Sequence, residues 1–454
     1  MARTERGATQ ETVRRHNLAT LLGHLHRYGP TSRARLTRLL GLNRATIGAL
    51  VDELVSRGLV QEQAETERAA RGRPSKVVAA RADLCRVLAV QVGVDSVEVA
   101  LMGLGGVILA RRRSAITKPE DRTVDRVVSA VARLGARFLA ESPGGVVGVG
   151  VAVPGSVSPS GAVVTFAPNL RWRQVPLAGL LADQLEVGPV VRIGNDANLG
   201  AMAEHSRGVG IRSSDLIYLH AEVGVGGGII TGGQLLEGGR GYAGEVGHMQ
   251  VNPLGLPCHC GARGCWETEV GEDALVRRAG LAPSSRSKVE LVLKRARAKD
   301  PVSMDAIDAT ARWISVGLVN MVSTLDPEMV ILGGLFEEIL ELAGPTLLAY
   351  LGQTSRYSHP EGVALLRPKF GRSSVLLGAA ELGFQRVLND PTIMPSVIGF
   401  GGSPDLEALG SAEGGRGPVP LRQDPARPRK MRATTATGLA ATIAAVANEN
   451  VANA

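Results

Sequence analysis

Within the segment GEVGHMQVNPLGLPCHCGARGCWE, His248 is followed by three cysteines that fall within eight residues: Cys258, Cys260 and Cys265. Three thiolates and an imidazole are the four donors of a closed, tetrahedral zinc site. Such crowding suits a metal better than a disulfide framework in a cytosolic chain. Gly261 and Gly264 let the loop fold tightly enough for the sulfurs to converge. His259 is a competing ligand, but its place between two cysteines should turn it away. The fourth cysteine, Cys85, stands alone in an apolar strand-like run and reads as a small buried hydrophobe.

A second group of polar residues could handle hydroxyls. The loop IGNDAN places Asn195 and Asp196 after a strand and before a helix expected to start near Leu199. A carboxylate there can accept a hydrogen bond from a hydroxyl or, with suitable geometry, take its proton. Asn-Asp is also ordinary turn chemistry. Glu245, His248 and Glu267 add carboxylate and imidazole along the cysteine segment. Polar groups held on rigid loops supply the directional hydrogen bonds that a polyol requires.

The elements that must position these groups are α/β in pattern. From about residue 84, the runs RVLAVQVGV, SVEVALMGL and GVILARRR read as consecutive strands with turns at Asp95 and Gly105-Gly106, followed by the helix DRTVDRVVSAVARLGARFLAE. Further strands end at VVGVGVAVPG, VVRIGNDAN and MVILGG, with helices between. Open α/β sheets place ligands at such strand ends.

The residues upstream follow another pattern. Leu18, Leu21, Leu22 and Leu25 share a helical face, and Gly29-Pro30 ends it. Thr31 can cap SRARLTRLL, whose Leu36, Leu39 and Leu40 are expected on one face. Gly41 breaks this helix and Asn43 caps the next. Helix, short turn, helix is the helix-turn-helix pattern. LVQEQ and SKVVAA then flank a basic tip, so that a wing carrying Arg68, Arg71, Arg73 and Lys76 is expected. Residues 1–81 hold 15 Arg and Lys against 7 Asp and Glu, which equals the +8 of the whole chain and leaves the rest neutral. A compact basic unit on a neutral body suits a binder of the phosphate backbone of double-stranded DNA. The helix beginning at Asn43 should enter the major groove, with Asn43, Arg44 and Thr46 toward the bases.

At 454 residues the chain is long enough for two or three domains. No apolar run approaches the ~20 residues of a bilayer span, and the start lacks the apolar core of a secretory signal. A cytoplasmic protein without membrane contact is expected. Beyond about Asn389 the chain is rich in Pro, Gly, Ala, Ser and Arg, and a disordered tail is expected over 389–454.

Residues 12–385 resemble the ROK family of repressors, open reading frames and sugar kinases. The resemblance is carried by Glu245-Val-Gly-His248 with CHCGARGCWE downstream, and by VAVPGSV, IGNDANLGAMAE, VGVGGGII and VILGG in the family's order. It implies a winged helix-turn-helix (12–81) followed by a two-lobed actin-like, ribonuclease-H-like ATPase fold (84–388). It also implies that Gly155, Asn195, Asp196, Glu245, His248 and Glu267 line a sugar pocket, and that His248, Cys258, Cys260 and Cys265 hold structural Zn2+. In family kinases the residue at Asp196 is the base that deprotonates the attacking hydroxyl.

One block departs from the family's kinases. Where they carry an Asp-x-Gly-Gly-Thr phosphate loop, this chain has Gln91-Val92-Gly93-Val94-Asp95. A carboxylate at Asp95 would repel phosphate, and the lost glycine would crowd the backbone approach. ATP and Mg2+ are therefore not expected as cofactors. The expected function is that of a DNA-binding transcriptional regulator, a repressor of carbohydrate-metabolism genes, answering to a sugar or sugar phosphate as a homodimer or homotetramer. The alternative is an active ATP-dependent sugar kinase with a DNA-binding extension.

Overall fold

A computed structural model describes residues 9–64, 76–140, 145–186, 190–282, 286–354 and 363–396. The chain opens with α1 (Gln10–Tyr28), β1 (Thr31–Ser32), α2 (Arg33–Leu40), α3 (Arg44–Ser56), β2 (Val60–Ala64) and β3 (Lys76–Ala80), the strands pairing in the order β1-β3-β2. Leu18, Leu21, Leu22 and Leu25 are all buried, as their spacing predicts, against Leu36, Ile47, Leu50 and Leu54. Two details differ from the sequence reading. Ser32, not Thr31, caps α2, because Thr31 pairs with Val78 in the sheet. Leu39 is 50% exposed, so only Leu36 of the expected α2 face is fully buried.

The first lobe contains β4 (Arg86–Val92), β5 (Ser96–Gly103), β6 (Val107–Ala115), α4 (Val124–Ala140), β7 (Gly148–Val153), β8 (Ser156–Val157), β9 (Val164–Ala167), β10 (Trp172–Val175), α5 (Leu177–Leu185) and β11 (Val191–Asn195). Helix α6 (Asp196–Arg207) leads out of it. The second lobe contains β12 (Leu216–Ala221), β13 (Val225–Thr231), β14 (Gln234–Leu235), α7 (Trp266–Val270), α8 (Glu272–Arg278), α9 (Arg286–Arg297), α10 (Pro301–Leu325), β15 (Met329–Gly334), α11 (Leu335–Thr354) and β16 (Ala364–Leu366). Helix α12 (Ser374–Asn389) returns to the first lobe and packs on β4 and β7.

The two five-stranded sheets have the orders β11-β7-β4-β5-β6 and β14-β13-β12-β15-β16, and the first lobe adds a small sheet β10-β9-β8. In each five-stranded sheet, the first strand in sequence is central, the next two extend one edge antiparallel, and the last two extend the other edge parallel. The two lobes are thus topological copies facing each other, the arrangement of the actin-like fold. Strand ends from both copies converge where ligands gather in open α/β sheets.

One apolar core joins Leu18, Leu22 and Leu54 of the N-terminal unit to Leu376, Ala380 and Phe384 of α12. The N-terminal unit is therefore packed on the first lobe and does not hang from a linker. The expectation of a tail from residue 389 is corrected at its start: α12 runs through Asn389, and Pro391–Ile393 forms a 3-10 turn capped by Asp390. Residues 397–454 lie outside the described residues, as do Arg68, Arg71 and Arg73 of the expected wing tip. No described helix is long and apolar enough to cross a membrane.

Candidate functional site

The inner cleft between the lobes is lined by the ends of β4 (Gln91, Val92), β7 (Pro154, Gly155), β11 (Asn195), and β12 and its turn (His220, Glu222, Gly224), together with Asp196, Glu245, His248 and Glu267. Every residue that sequence assigned to the sugar pocket reaches this one cleft. Gly155 has φ +136°, and a Cβ there would meet the Phe166 carbonyl at 2.5 Å, so the site requires glycine. Its carbonyl accepts from Asn195 Nδ2 at 3.1 Å, while Asn195 Oδ1 caps α6 by accepting from Asn198 N at 3.0 Å. That cap starts α6 at Asp196, earlier than the expected Leu199. Asp196 consequently occupies the first turn, with Oδ1 accepting from Ala197 N at 2.8 Å, and it lines the cleft. Burial pushes its carboxyl up to about 6, although the nearby His220 opposes the shift.

Glu245 is oriented by Ser156, whose hydroxyl donates to Oε1 at 2.7 Å. His248 links this group to the cysteines: Nε2 lies 4.0 Å from Glu245 Oε2, and Nδ1 lies 3.6 Å from Cys258 Sγ. Cys258 Sγ also donates to Glu267 Oε1 at 2.8 Å. The ligand atoms of His248, Cys258, Cys260 and Cys265 all lie within 4.8 Å of one another. Cys260 and Cys265 sulfurs are 3.7 Å apart, against an edge of about 3.8 Å for a tetrahedron with ~2.3 Å zinc–sulfur bonds. The donor set and its dimensions fit a tetrahedral metal. The loop closes because Gly264 adopts φ +70° and offers its carbonyl to Val251 N and Asn252 N at 3.0 and 3.1 Å. A Cβ on Gly264 would sit 1.6 Å from the Asn252 carbonyl. His259 is not in the cluster and faces an outer cavity of about 410 Å3 that adjoins the cleft at Asn169 and Glu222.

Three polar lining residues escaped the sequence reading. Asn169 and Glu222 sit on turns with no periodicity to mark them, and His220 lies in an apolar strand. His220 stacks on Tyr218 at 6.1 Å between ring centroids and places Nε2 3.5 Å from Glu222 Oε1. At the neighbouring phosphate-loop position, Asp95 accepts from Ser96 Oγ at 3.0 Å and faces Arg113 at 3.6 Å.

In the N-terminal unit, Asn43 Oδ1 accepts from Thr46 N at 2.8 Å and caps α3. Asn43 and Arg44 are exposed and Thr46 is half-buried, so the first two are the freer to reach outward. Lys76 is exposed at the start of β3. Arg33 is committed internally, donating to Asp52 and Glu62 at 2.7 Å each.

The ROK family profile matches residues 87–386. A xylose repressor of Bacillus spizizenii is 28% identical over 386 residues, covering 84% of this chain and 98% of its own. A glucokinase of Streptomyces coelicolor is 32% identical over 314 residues, covering 65% of this chain and 96% of its own. Among solved structures, a ROK family transcriptional regulator described as a homolog of the E. coli MLC protein has a TM-score of 0.67 at 24% identity, covering 83% of this chain and 97% of that one. The repressor relative accounts for the N-terminal unit as well as the lobes, whereas the glucokinase leaves about a third of this chain unmatched. With two duplicated lobes, a cysteine-histidine loop beside the cleft and a family profile spanning both lobes, this chain belongs to the ROK family.

Proposed function

We infer that this chain is a DNA-binding transcriptional repressor of carbohydrate-metabolism genes, and that an uncharged sugar in the interlobe cleft is its effector. The observation that carries the reading is the packing of a winged helix-turn-helix directly onto a lobe whose cleft gathers Asn195, Asp196, Glu245, His248 and Glu267. Relatives of matching length include xylose repressors, alongside the regulator NagC of Escherichia coli, so xylose is the first sugar to test.

The sugar would be held by Asn195 Nδ2 as donor and by the Asp196, Glu245 and Glu267 carboxylates as acceptors. His248 would turn Nε2 toward a hydroxyl while Nδ1 faces the metal. Zinc held by His248, Cys258, Cys260 and Cys265 would fix the loop that carries these groups; its role is structural. Four carboxylates line the inner cleft, counting Glu222, and none of its described lining residues is Lys or Arg; Arg122 and Arg171 belong to the adjoining outer cavity. That field favours a neutral polyol over a sugar phosphate.

Kinase activity is not part of the proposal. Asp196 is positioned as a base could be, but Gln91 stands where the resemblance to the family's kinases implies the phosphate loop's carboxylate, and Val94 and Asp95 replace its Gly-Thr pair. On the DNA side, Asn43 and Arg44 would read the major groove, and Lys76, Arg71 and Arg73 would contact the backbone. A homodimer would align two such units on a two-fold site. Calorimetry with xylose, glucose and their phosphates, with ADP release followed in parallel, tests the reading. Binding of an uncharged sugar without turnover is expected; sugar-dependent ADP release at enzymatic rates would establish the kinase instead.

A further inference from the structure

Helix α6 runs from the cleft to the DNA-binding unit. Its first residue is Asp196 and its last is Arg207, about 17 Å away at the α-helical rise. Its first turn is tightly packed. A Cβ on Gly378 of α12 would lie 1.9 Å from the Leu199 carbonyl, and one on Gly228 of β13 would lie 2.4 Å from the Ala197 carbonyl. Near the far end, buried Glu204 accepts from Lys369 N at 3.0 Å, Phe370 N at 3.2 Å and Ser374 Oγ at 2.7 Å. Packed interiors transmit strain, and α6 is close-packed at both ends.

Arg207 joins the far end to a buried cluster. Nε donates to Glu381 Oε1 at 2.6 Å, Nη1 to the Gly105 carbonyl at 2.6 Å, and Nη2 to the His26 carbonyl. The His26 ring is held on both sides: Nδ1 accepts from Gly105 N at 2.9 Å, and Nε2 lies 2.9 Å from Glu381 Oε2. Acceptance at Nδ1 places the ring proton on Nε2, where it donates to the carboxylate. The cluster thus ties α1 of the DNA-binding unit, the β5–β6 turn, α6 and α12 at one point. Past its end, α12 also holds the helix expected to enter the groove: Arg57 Nη1 donates to the Thr392 carbonyl at 3.1 Å, and Ser396 Oγ to the Ser56 carbonyl at 3.3 Å.

We propose that the Arg207–Glu381–His26 cluster is the joint through which occupancy of the cleft repositions the DNA-binding unit, with α6 as the connecting rod. This rests on the sugar-sensing reading above. Arg207, Glu381 and His26 are positioning residues: they touch neither sugar nor DNA, and their effect lies in the coupling between the two sites.

The test uses the full chain with Glu381→Gln and, as the milder change, Arg207→Lys. Sugar affinity is measured by calorimetry and affinity for DNA upstream of its own gene by fluorescence anisotropy, each with and without the other ligand. Arg278→Lys is the control, because Arg278 pairs with Glu269 at 2.9 Å in a similarly buried bridge of the second lobe. The joint variants are expected to bind sugar and DNA much as the unmodified chain does. Their ratio of DNA affinities without and with sugar should shrink at least about fivefold, within the usual range of coupling factors. An unchanged ratio in Arg207→Lys, or an equal loss in Arg278→Lys, would overturn the joint. A ratio of one in the unmodified chain with sugar bound would instead overturn the sensing reading, and the joint with it.

Discussion

Nε2 of His26 lies 2.9 Å from Oε2 of Glu381, although 355 residues separate them in sequence. The contact ties the first described helix to the last and makes the DNA-binding unit part of the lobe that bears half the cleft. Burial alone would raise the Glu381 carboxyl; His26 and Arg207 outweigh it and hold it down at about 2.

Removing that carboxylate should be costly. Glu381→Ala leaves the Arg207 guanidinium buried without its partner, and about 3–5 kcal/mol of stability should be lost. Chemical denaturation at neutral pH checks this. The depressed carboxyl also sets a pH dependence: its stabilisation is complete above the ordinary value of 4.5 and is lost as pH falls toward 2. The unmodified chain should therefore lose more stability between those limits than Glu381→Gln does.

Asp196 should behave oppositely. Its carboxyl is raised from 3.8 to about 6, so the folded state favours the protonated form. That contribution is complete below 3.8 and lost as pH rises through about 6. Asp196→Asn should raise the melting temperature at pH 7 relative to the unmodified chain and have little effect at acid pH. The same change should weaken sugar binding about tenfold or more at pH 7, since a hydrogen bond to a charged acceptor is worth roughly 1.5–3 kcal/mol. Equal sugar affinity in the two proteins would remove Asp196 from the pocket.

Metal content is the direct check on the cysteine loop. Protein purified from zinc-supplemented cells should carry stoichiometric zinc, and Cys258→Ala and Cys265→Ala should lose it together with part of their thermal stability. Full retention of metal in both variants would contradict the assignment.

Arg44 is exposed at the first turn of α3 and has no carboxylate partner among the described residues. Arg44→Ala should weaken DNA binding by about 1–3 kcal/mol if it reads a base, with lower discrimination among operators. A backbone contact would instead lower the salt slope by about one without changing discrimination. Unaltered affinity and salt slope would exclude Arg44 from the interface.

Much of this molecule is legible in local pattern. The leucines of α1, the Asn43 cap and the glycine-closed cysteine loop each follow from spacing within a few residues, where backbone geometry dominates. Leu39 misled because an eight-residue helix on the surface buries a narrower stripe than its apolar content suggests. The start of α6 was misplaced because Asn195 is at once the last residue of β11 and the helix cap. Asn169, His220 and Glu222 were missed because their roles arise when two lobes meet. The cluster of His26, Arg207 and Glu381 was equally hidden. Each is an ordinary polar residue of a helix until α12 returns across the first lobe.

Anisotropy titrations of the unmodified full chain on DNA upstream of its own gene, at fixed salt, should show affinity falling at least about fivefold when xylose or another bound sugar saturates the cleft. Identical DNA affinity with and without every sugar shown to bind would contradict the claim that this ROK protein is a sugar-responsive repressor.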